Sequence, residues 1–229
     1  MYARDVKGKT LTFGVSGKLI RNSLIMFDRQ TGSLWSHLTG AAISGPLRGT
    51  ELERIAATQT TWKLWRQVHA DSRLLKTDSY RDDDPYAGYY VAPDSGVIGR
   101  KHVDNRLGAK DRIIGVRLGG AVKAYSFKAL GRARVLDDQV GGTPLVVVFD
   151  AASESGAVYR RSVGDRLFDF NPPATGMGLV DAQTGSTWDW LSGRSTAGPL
   201  AGANLEQIPI TYSFWFGWVD FYPGTEPFR

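Results

Sequence analysis

The sequence predicts a β-rich α+β fold made of two tandem, sequence-related repeats of hairpins, each closed by a short tryptophan-bearing helix. Three observations predict this class. Residues 28–69 and 181–222 match without a gap at about 18 of 42 positions. Gly-Gly pairs join strand-like runs at two places, which is typical of tight hairpins. All 7 tryptophans fall inside the two matching windows, and four of them recur at helical spacing.

The first repeat is expected to contain short strands followed by one helix. Residues 24–27 and 33–35 are strand-like and flank a polar Asp-x-Gln-Thr-Gly turn. Further along, Trp62, Trp65 and His69 are spaced i, i+3 and i+7, so a helix would place them on one face. Thr60 or Thr61 is the expected N-cap of this helix, because a hydroxyl at that position accepts a bond from a free backbone N–H.

The second repeat is expected to begin with two hairpin units. Residues 112–118 and 121–127 are joined by Gly119-Gly120, and residues 135–140 and 145–150 are joined across Gly141-Gly142. The run Val146-Val147-Val148 suits a strand that is buried on both faces. Strands at residues 178–180 and 186–188 follow, and then a helix that carries Trp215, Trp218 and Tyr222 on one face, with Ser213 as its expected N-cap.

These elements divide the chain into a first repeat at residues 1–76, a linker at residues 77–111 and a second, complete repeat at residues 112–229. Two hairpin units precede Tyr159 in the second repeat, whereas only Met1 precedes the matching Tyr2. We therefore expect the first repeat to lack its N-terminal half. An unpaired half-repeat would expose strand edges, which makes self-association a possible outcome.

Composition and charge restrict the function classes. The formal net charge is +5 and the pI is about 9.4, but basic residues are interleaved with 23 acidic ones, so no nucleic-acid partner is expected. No apolar run approaches the roughly 18 residues of a membrane span. Without cysteine, the chain has no disulfide and no thiolate chemistry. The histidines and carboxylates show no metal-ligand spacing, so we expect neither a metal site nor a cofactor.

Candidate site residues are polar side chains of the first repeat that the second repeat does not share. Arg29, His37, Arg48 and His69 stand where the second repeat has Ala182, Trp190, Ala201 and Tyr222. Arginines donate charge-assisted hydrogen bonds and histidines titrate near neutral pH, so these four residues, together with Asp28, could form an anion or polar-ligand site. The alternative is that the first repeat is simply more exposed to solvent. The tryptophans are expected to fill the core and hold the repeats together, rather than to form a ligand platform.

Four sequence motifs carry a resemblance to a known family. They are TFGVSG at residues 12–17, MFDRQTGSLWS at residues 26–36, GPLRG at residues 45–49 and KAY at residues 123–125. Over essentially its whole length the chain resembles the prokaryotic domain of unknown function 3179 family, which has no established activity. The resemblance implies that full-length relatives have an additional N-terminal segment, often with an export signal, and a Cys-Pro-Leu-Cys motif.

Two functions from different classes therefore remain open. The first is a non-enzymatic binding or structural module with a polar cleft on the first repeat, whose ligand is a small molecule, a glycan or a peptide. The second is an enzyme or a metal or redox protein whose centre needs the N-terminal Cys-Pro-Leu-Cys segment. The sequence leaves the reaction, the ligand and the compartment of the protein open.

Overall fold

The computed structural model describes residues 1–75, 84–92 and 95–229, and these residues form a β-rich fold with a few short helices. The predicted β-rich character with short helices is thus confirmed. In the predicted linker, residues 77–83, 93 and 94 lie outside the described residues. The described part of that linker contains a short helix, which the sequence analysis did not predict.

The N-terminal part consists of a small hairpin, a four-stranded antiparallel sheet with sequential strand order, and a helix. The predicted strands at residues 24–27 and 33–35 are confirmed, and Thr61 is confirmed as the N-cap because its side chain accepts a hydrogen bond from the Leu64 N–H. The elements are β1 (Asp5–Val6), β2 (Lys9–Thr10), β3 (Phe13–Ile20), β4 (Ser23–Asp28), β5 (Leu34–Ser36), β6 (Ala42–Ser44) and α1 (Trp62–Val68).

The middle of the chain contains both predicted Gly-Gly hairpins. Gly119, Gly120, Gly141 and Gly142 all have positive φ, as a type I′ turn requires. A helix that was not predicted follows the first hairpin, where Ser126 accepts a hydrogen bond from the Ala129 N–H and caps it. The elements are α2 (Ala87–Val91), β7 (Arg112–Leu118), β8 (Ala121–Ser126), α3 (Phe127–Ala133), β9 (Val135–Val140), β10 (Thr143–Asp150) and β11 (Ser155–Arg160).

The C-terminal part repeats the order of a small hairpin and a four-stranded antiparallel sheet. The predicted N-cap Ser213 is wrong. Phe214 occupies that position without a side-chain cap, and the Ser213 hydroxyl instead donates to the Phe214 carbonyl at 2.9 Å. The elements are β12 (Ser162–Val163), β13 (Arg166–Leu167), β14 (Phe170–Asn171), β15 (Leu179–Asp181), β16 (Thr187–Trp188), β17 (Ser195–Ala197), β18 (Ile210–Phe214), α4 (Trp215–Val219) and β19 (Glu226–Phe228).

Strand β10 runs through the centre of the core between two other sheets. Val146 and Val148 pack against the cluster around Trp188, while Leu145 and Val147 pack against the β7 and β8 side chains of a second cluster. All of these valines are fully buried, which confirms the prediction of a strand covered on both faces. The sheet of β18, β7, β8 and β19 in turn covers its other face with α4, and Leu38 of the N-terminal part packs there.

The sheet of β3 to β6 and the sheet of β14 to β17 make the same local contacts. Asp28 accepts a hydrogen bond from Trp35 Nε1 at 2.9 Å, and Asp181 accepts one from Trp188 Nε1 at 3.0 Å. Likewise, the hydroxyl of Tyr2 donates to the His37 carbonyl, and the hydroxyl of Tyr159 donates to the Trp190 carbonyl. The aspartate–tryptophan and tyrosine–carbonyl contacts thus recur in the N-terminal and C-terminal parts of the chain.

Two pairs of glycines beside these sheets separate the cost of a steric overlap from the cost of backbone strain. Gly198 has a φ of +91°, and an added Cβ would lie 2.7 Å from the Ser186 Cα. Gly202 has a φ of +93°, but an added Cβ would meet no atom within 4 Å. We expect Gly198→Ala to cost about 3 kcal/mol of stability, from left-handed strain plus steric overlap, and Gly202→Ala about 1 kcal/mol, from strain alone.

Chemical denaturation of both variants measures this difference. Gly45→Ala and Gly49→Ala provide the same comparison in the N-terminal sheet, where an added Cβ at Gly45 would lie 2.7 Å from the Ser33 Cα. Equal losses of stability within each pair would show that the short distance between the added Cβ and the serine does not matter.

Candidate functional site

A cleft of about 960 Å³ lies between the N-terminal sheet and the rest of the fold, and we call it the central cleft. The N-terminal part supplies the β3–β4 turn at Arg21 and Asn22, the His37-Leu38 pair after β5, and the strap at residues 59–61. Ser155 Oγ donates to Thr60 Oγ1 at 2.9 Å, so this strap is joined to the opposite wall.

The opposite wall of the central cleft comes from residues far apart in sequence. They are the start of β7 at Arg112, the first residue of α3, the β10–β11 turn at Glu154, and the end of β18. Tyr90 of α2 lines the same space. Sheet pairing between β7 and β18, with Arg112 opposite Phe214, places the charged and aromatic groups of this wall beside each other.

The charged side chains that line the central cleft are mostly positive. The lining includes three cationic side chains, those of Arg21, Lys110 and Arg112, but one carboxylate, that of Glu154. Arg21 donates to the Asp220 carbonyl at 2.8 Å, and Lys110 donates to the Ala92 carbonyl at 2.7 Å. Both cations are therefore held in place by backbone oxygens, and neither forms a salt bridge with an acidic side chain of the described residues.

Aromatic rings form much of the remaining lining. Tyr90 lies 6.3 Å from Phe214, Phe127 lies 5.9 Å from Tyr212 in an edge-on arrangement, and Phe214 stacks on Phe216. The Tyr212 hydroxyl donates to the Gly156 carbonyl at 2.9 Å, and burial raises the pKa of Tyr212 to about 12. Tyr212 is therefore a neutral phenol at physiological pH, and it does not add negative charge to the cleft.

His37 is the one predicted site residue that lines the central cleft. Its backbone N–H donates to the Leu24 carbonyl at 3.0 Å, which holds the residue against the β3–β4 hairpin. Partial burial, followed by the charge of the N-terminal ammonium, lowers the pKa of the imidazole below its ordinary value. A lowered pKa means that His37 is mainly neutral at pH 7, so it offers one donor and one acceptor rather than a charge.

The other predicted site residues do not line the central cleft. Arg29 lies over the ring of Phe27, with 5.4 Å from its guanidinium carbon to the ring centroid. Arg48 is exposed on the turn that precedes Gly49, and His69 is exposed while its ring contacts that of Trp65 at 4.0 Å. The structure does not bring these residues together with His37.

Asp28 is fully buried beneath the turn that follows β4. Its carboxylate accepts hydrogen bonds from the Thr31 N–H at 2.6 Å, from the Thr31 hydroxyl at 2.9 Å and from Trp35 Nε1. Burial favours the neutral acid, but these hydrogen bonds outweigh it and lower the pKa of Asp28 below its ordinary value. Because Asp181 is bonded in the same way to Thr184 and Trp188, this arrangement has a structural role in both sheets.

Sequence reasoning missed Arg21, Lys110, Arg112 and the aromatic wall. The comparison between matching windows was limited to residues 28–69 and 181–222, and all three cations lie outside those windows. One local signal was present: asparagine tolerates positive φ better than most residues, so the polar pair Arg21-Asn22 between two apolar runs indicates a turn, and both residues adopt positive φ here.

The fold and the cleft define a β-rich protein with a cationic, aromatic-lined cavity between its two halves. The chain belongs to the family described as Protein of unknown function (DUF3179), whose model matches residues 1–225. The resemblance seen in the four sequence motifs is thereby confirmed. No curated protein matches the chain, and no solved structure matches it either.

The described residues contain no candidate metal centre and no candidate membrane-spanning helix. Across residues 1–75, 84–92 and 95–229, no three histidine or carboxylate side chains come together in a group that could hold a metal ion. Within the same ranges, no helix has both the length and the apolar character needed to cross a membrane.

Proposed function

We propose that this protein is a non-enzymatic binding module and that its central cleft takes a small organic anion with a ring-shaped apolar part. The proposal rests on one observation: a single cleft of about 960 Å³ is lined both by aromatic rings and by the cations Arg21, Lys110 and Arg112. A cleft of this size falls within the range of small-molecule sites.

The charge of the central cleft supports an anionic ligand. The lining cations outnumber the lining carboxylate, and they sit beside aromatic walls that reduce the local dielectric. Arg112 offers a planar fork of donors that matches a carboxylate or phosphate. Asn22, Ser153 and Ser213 add neutral hydrogen-bonding groups for hydroxyls or amides of the same ligand.

The exposed rings support a ligand with a flat apolar face. Tyr90 is largely exposed beside Phe214, which leaves stacking area open to the cleft. Aromatic surfaces of this kind bind sugar rings and aromatic rings at little cost in side-chain entropy. Among the predicted site residues, His37 is part of this proposal as a neutral hydrogen-bonding group. Arg29, Arg48, His69 and Asp28 are outside it.

We also propose that the sheet of β3 to β6 and the sheet of β14 to β17 are copies of one unit, with repeats at residues 1–76 and 112–229 and a linker at residues 77–111. The paired contacts of Asp28 with Trp35 and of Asp181 with Trp188 support this reading. So do Gly45 and Gly198, which approach equivalent serines at the same distance. On this proposal the central cleft forms where the two copies face each other.

Calorimetric measurements of binding to a set of anionic and neutral compounds test the proposed anion-binding function. D-glucuronate and phenylacetate are the anionic probes, and glucose and phenylacetamide are their neutral counterparts. We expect at least one anion to bind, and Arg112→Met to weaken its binding about 10- to 100-fold, because a charge-assisted pair of hydrogen bonds is lost. Arg48→Met, which changes an exposed arginine outside the cleft, should leave the Kd within about twofold.

Three results would contradict the proposal. They are the absence of binding across the panel, stronger binding of the neutral compounds, and an equal loss in Arg48→Met and Arg112→Met. Turnover of any bound compound would contradict the non-enzymatic part alone.

A further inference from the structure

One wall of the central cleft holds an ion pair between Arg112 and Glu154. Both guanidinium nitrogens of Arg112 donate to the two carboxylate oxygens of Glu154 in a bidentate arrangement. The side chains are 51% and 46% exposed, so the pair lies at the mouth of the cleft and not in its core. An ion pair that is half open to water adds little to stability.

The backbone at Glu154 is unfavourable for its own residue type. Glu154 has a φ of +50° in the turn between β10 and β11, a conformation that glycine or asparagine adopts more easily. A glutamate at this position therefore costs stability, and the half-exposed ion pair does not offset that cost. Its presence is better explained by an effect on the cleft than by an effect on folding.

Two contacts other than the one with Glu154 hold Arg112 in position. Its guanidinium carbon lies 5.2 Å from the centroid of the Phe127 ring, and its backbone pairs with Phe214 at the end of β18. Stacking on an aromatic ring holds a guanidinium in orientation and leaves the N–H edge free for another acceptor. If the Glu154 side chain swings into solvent, the donor fork of Arg112 remains directed at the cleft mouth.

We propose that the ligand of the central cleft is a ring-bearing carboxylic acid, and that its carboxylate takes over the bidentate contact with Arg112 that Glu154 makes here. Glu154 is then a built-in competitor that sets the affinity and the specificity of the site. The carboxylate of a ligand can accept the same two hydrogen bonds from Arg112 as the Glu154 carboxylate, whereas a neutral amide cannot. This inference rests on the proposed function of the cleft as an anion site.

The carboxylate could come from an acidic sugar, an aromatic acid or the C-terminus of a peptide. The probes are therefore digalacturonate, phenylacetate and acetyl-glycyl-phenylalanine, each paired with its methyl ester or amide. Calorimetry is carried out on the intact protein, on Glu154→Gln and on Glu154→Gly. The glycine variant suits the positive φ, so its melting temperature should be no lower than that of the parent.

We expect Glu154→Gln and Glu154→Gly to bind the acid about three- to fivefold more tightly, the factor by which a half-exposed ion pair competes. The matching ester or amide should gain nothing. Glu206→Gln is the control, because Glu206 pairs with Arg160 at 2.9 Å on an exposed surface and does not line the cleft. Its affinity for the acid should be unchanged.

The outcomes separate the two proposals. Acids that bind the parent and both Glu154 variants with the same Kd would overturn the inference and leave the proposed function standing. A gain shared equally by acid and ester would also overturn it, since the effect would then not depend on the carboxylate. If no compound binds the parent or the variants, the proposed function fails and the inference fails with it.

Discussion

Trp218→Ala is expected to lower the free energy of unfolding by about 4 kcal/mol, in the range for truncating a buried tryptophan. Trp218 is 1% exposed, and it packs with Ile113 and Trp215 between α4 and the β7–β8 sheet. Its Nε1 donates to the buried hydroxyl of Thr225 at 3.0 Å. Truncation would leave both a cavity and an unsatisfied hydroxyl, and the two losses add.

Trp62→Ala is the matched control. Trp62 lies on α1, whose sequence aligns with that of α4, yet it is 39% exposed, and no residue of α1 is buried. Its loss should cost less than about 1 kcal/mol. Urea unfolding followed by circular dichroism compares the two variants without depending on tryptophan fluorescence. Similar losses in both would show that α1 and α4 pack alike, contrary to the structure.

Asp28→Ala is expected to destabilise the protein by about 3 kcal/mol. The carboxylate accepts hydrogen bonds from Trp35 Nε1 and from both the backbone and the side chain of Thr31. Its removal leaves buried donors without acceptors, which is the costly way to lose a hydrogen bond. Asp181→Ala should cost about as much, because Thr184 and Trp188 make the same bonds there.

The pH dependence of stability follows from the sign of the shift at Asp28. Its folded pKa lies below its unfolded value, so the folded state is stabilised fully above the unfolded pKa of about 4. That contribution is lost as the pH falls through the folded value. Asp28→Asn cannot titrate, so its unfolding free energy should fall less between pH 5 and pH 2 than that of the parent.

Denaturant unfolding at pH 7 and across the acid range measures both effects. Asp71→Asn, an exposed aspartate after α1, is the control, and it should lie within about 0.5 kcal/mol of the parent at pH 7. An Asp28→Ala variant as stable as Asp71→Asn would show that the buried network contributes nothing. If the unfolding free energy of Asp28→Asn falls as much between pH 5 and pH 2 as that of the parent, the acid dependence comes from other carboxylates.

Local chemistry explains which elements could be predicted. The Gly-Gly pairs at Gly119-Gly120 and Gly141-Gly142 specify their hairpins because only glycine adopts two successive positive φ values without strain. Three consecutive valines at the centre of β10 indicated burial on both faces for a similarly local reason. Helix α3 was missed, since Phe127 continues the apolar strand pattern, although the Ser126 cap and the packing of Phe127 against Phe149 and Tyr212 favour a helix.

The tryptophans show where pattern alone misleads. Trp35, Trp188, Trp190, Trp215 and Trp218 are buried, as a core role predicts. Trp35 and Trp188, however, lie in separate clusters and do not contact each other's cluster, although Leu64 of α1 packs against that of Trp188. Trp62 and Trp65 occupy the same aligned positions as Trp215 and Trp218, yet they lie on a helix with no buried residue. Equivalent positions in sequence therefore have different environments.

The sequence by itself determined the β-rich class, the hairpin turns, the internal match between residues 28–69 and 181–222, and the family. Each of these depends on neighbouring residues or on residue identity. Only the tertiary structure decided that Arg21, Lys110, Arg112 and Glu154 share one cleft, and that His37 joins them while Arg29, Arg48 and His69 do not. The physical reason is that a cleft forms from side chains that distant strands bring together, and no local pattern encodes those long-range contacts.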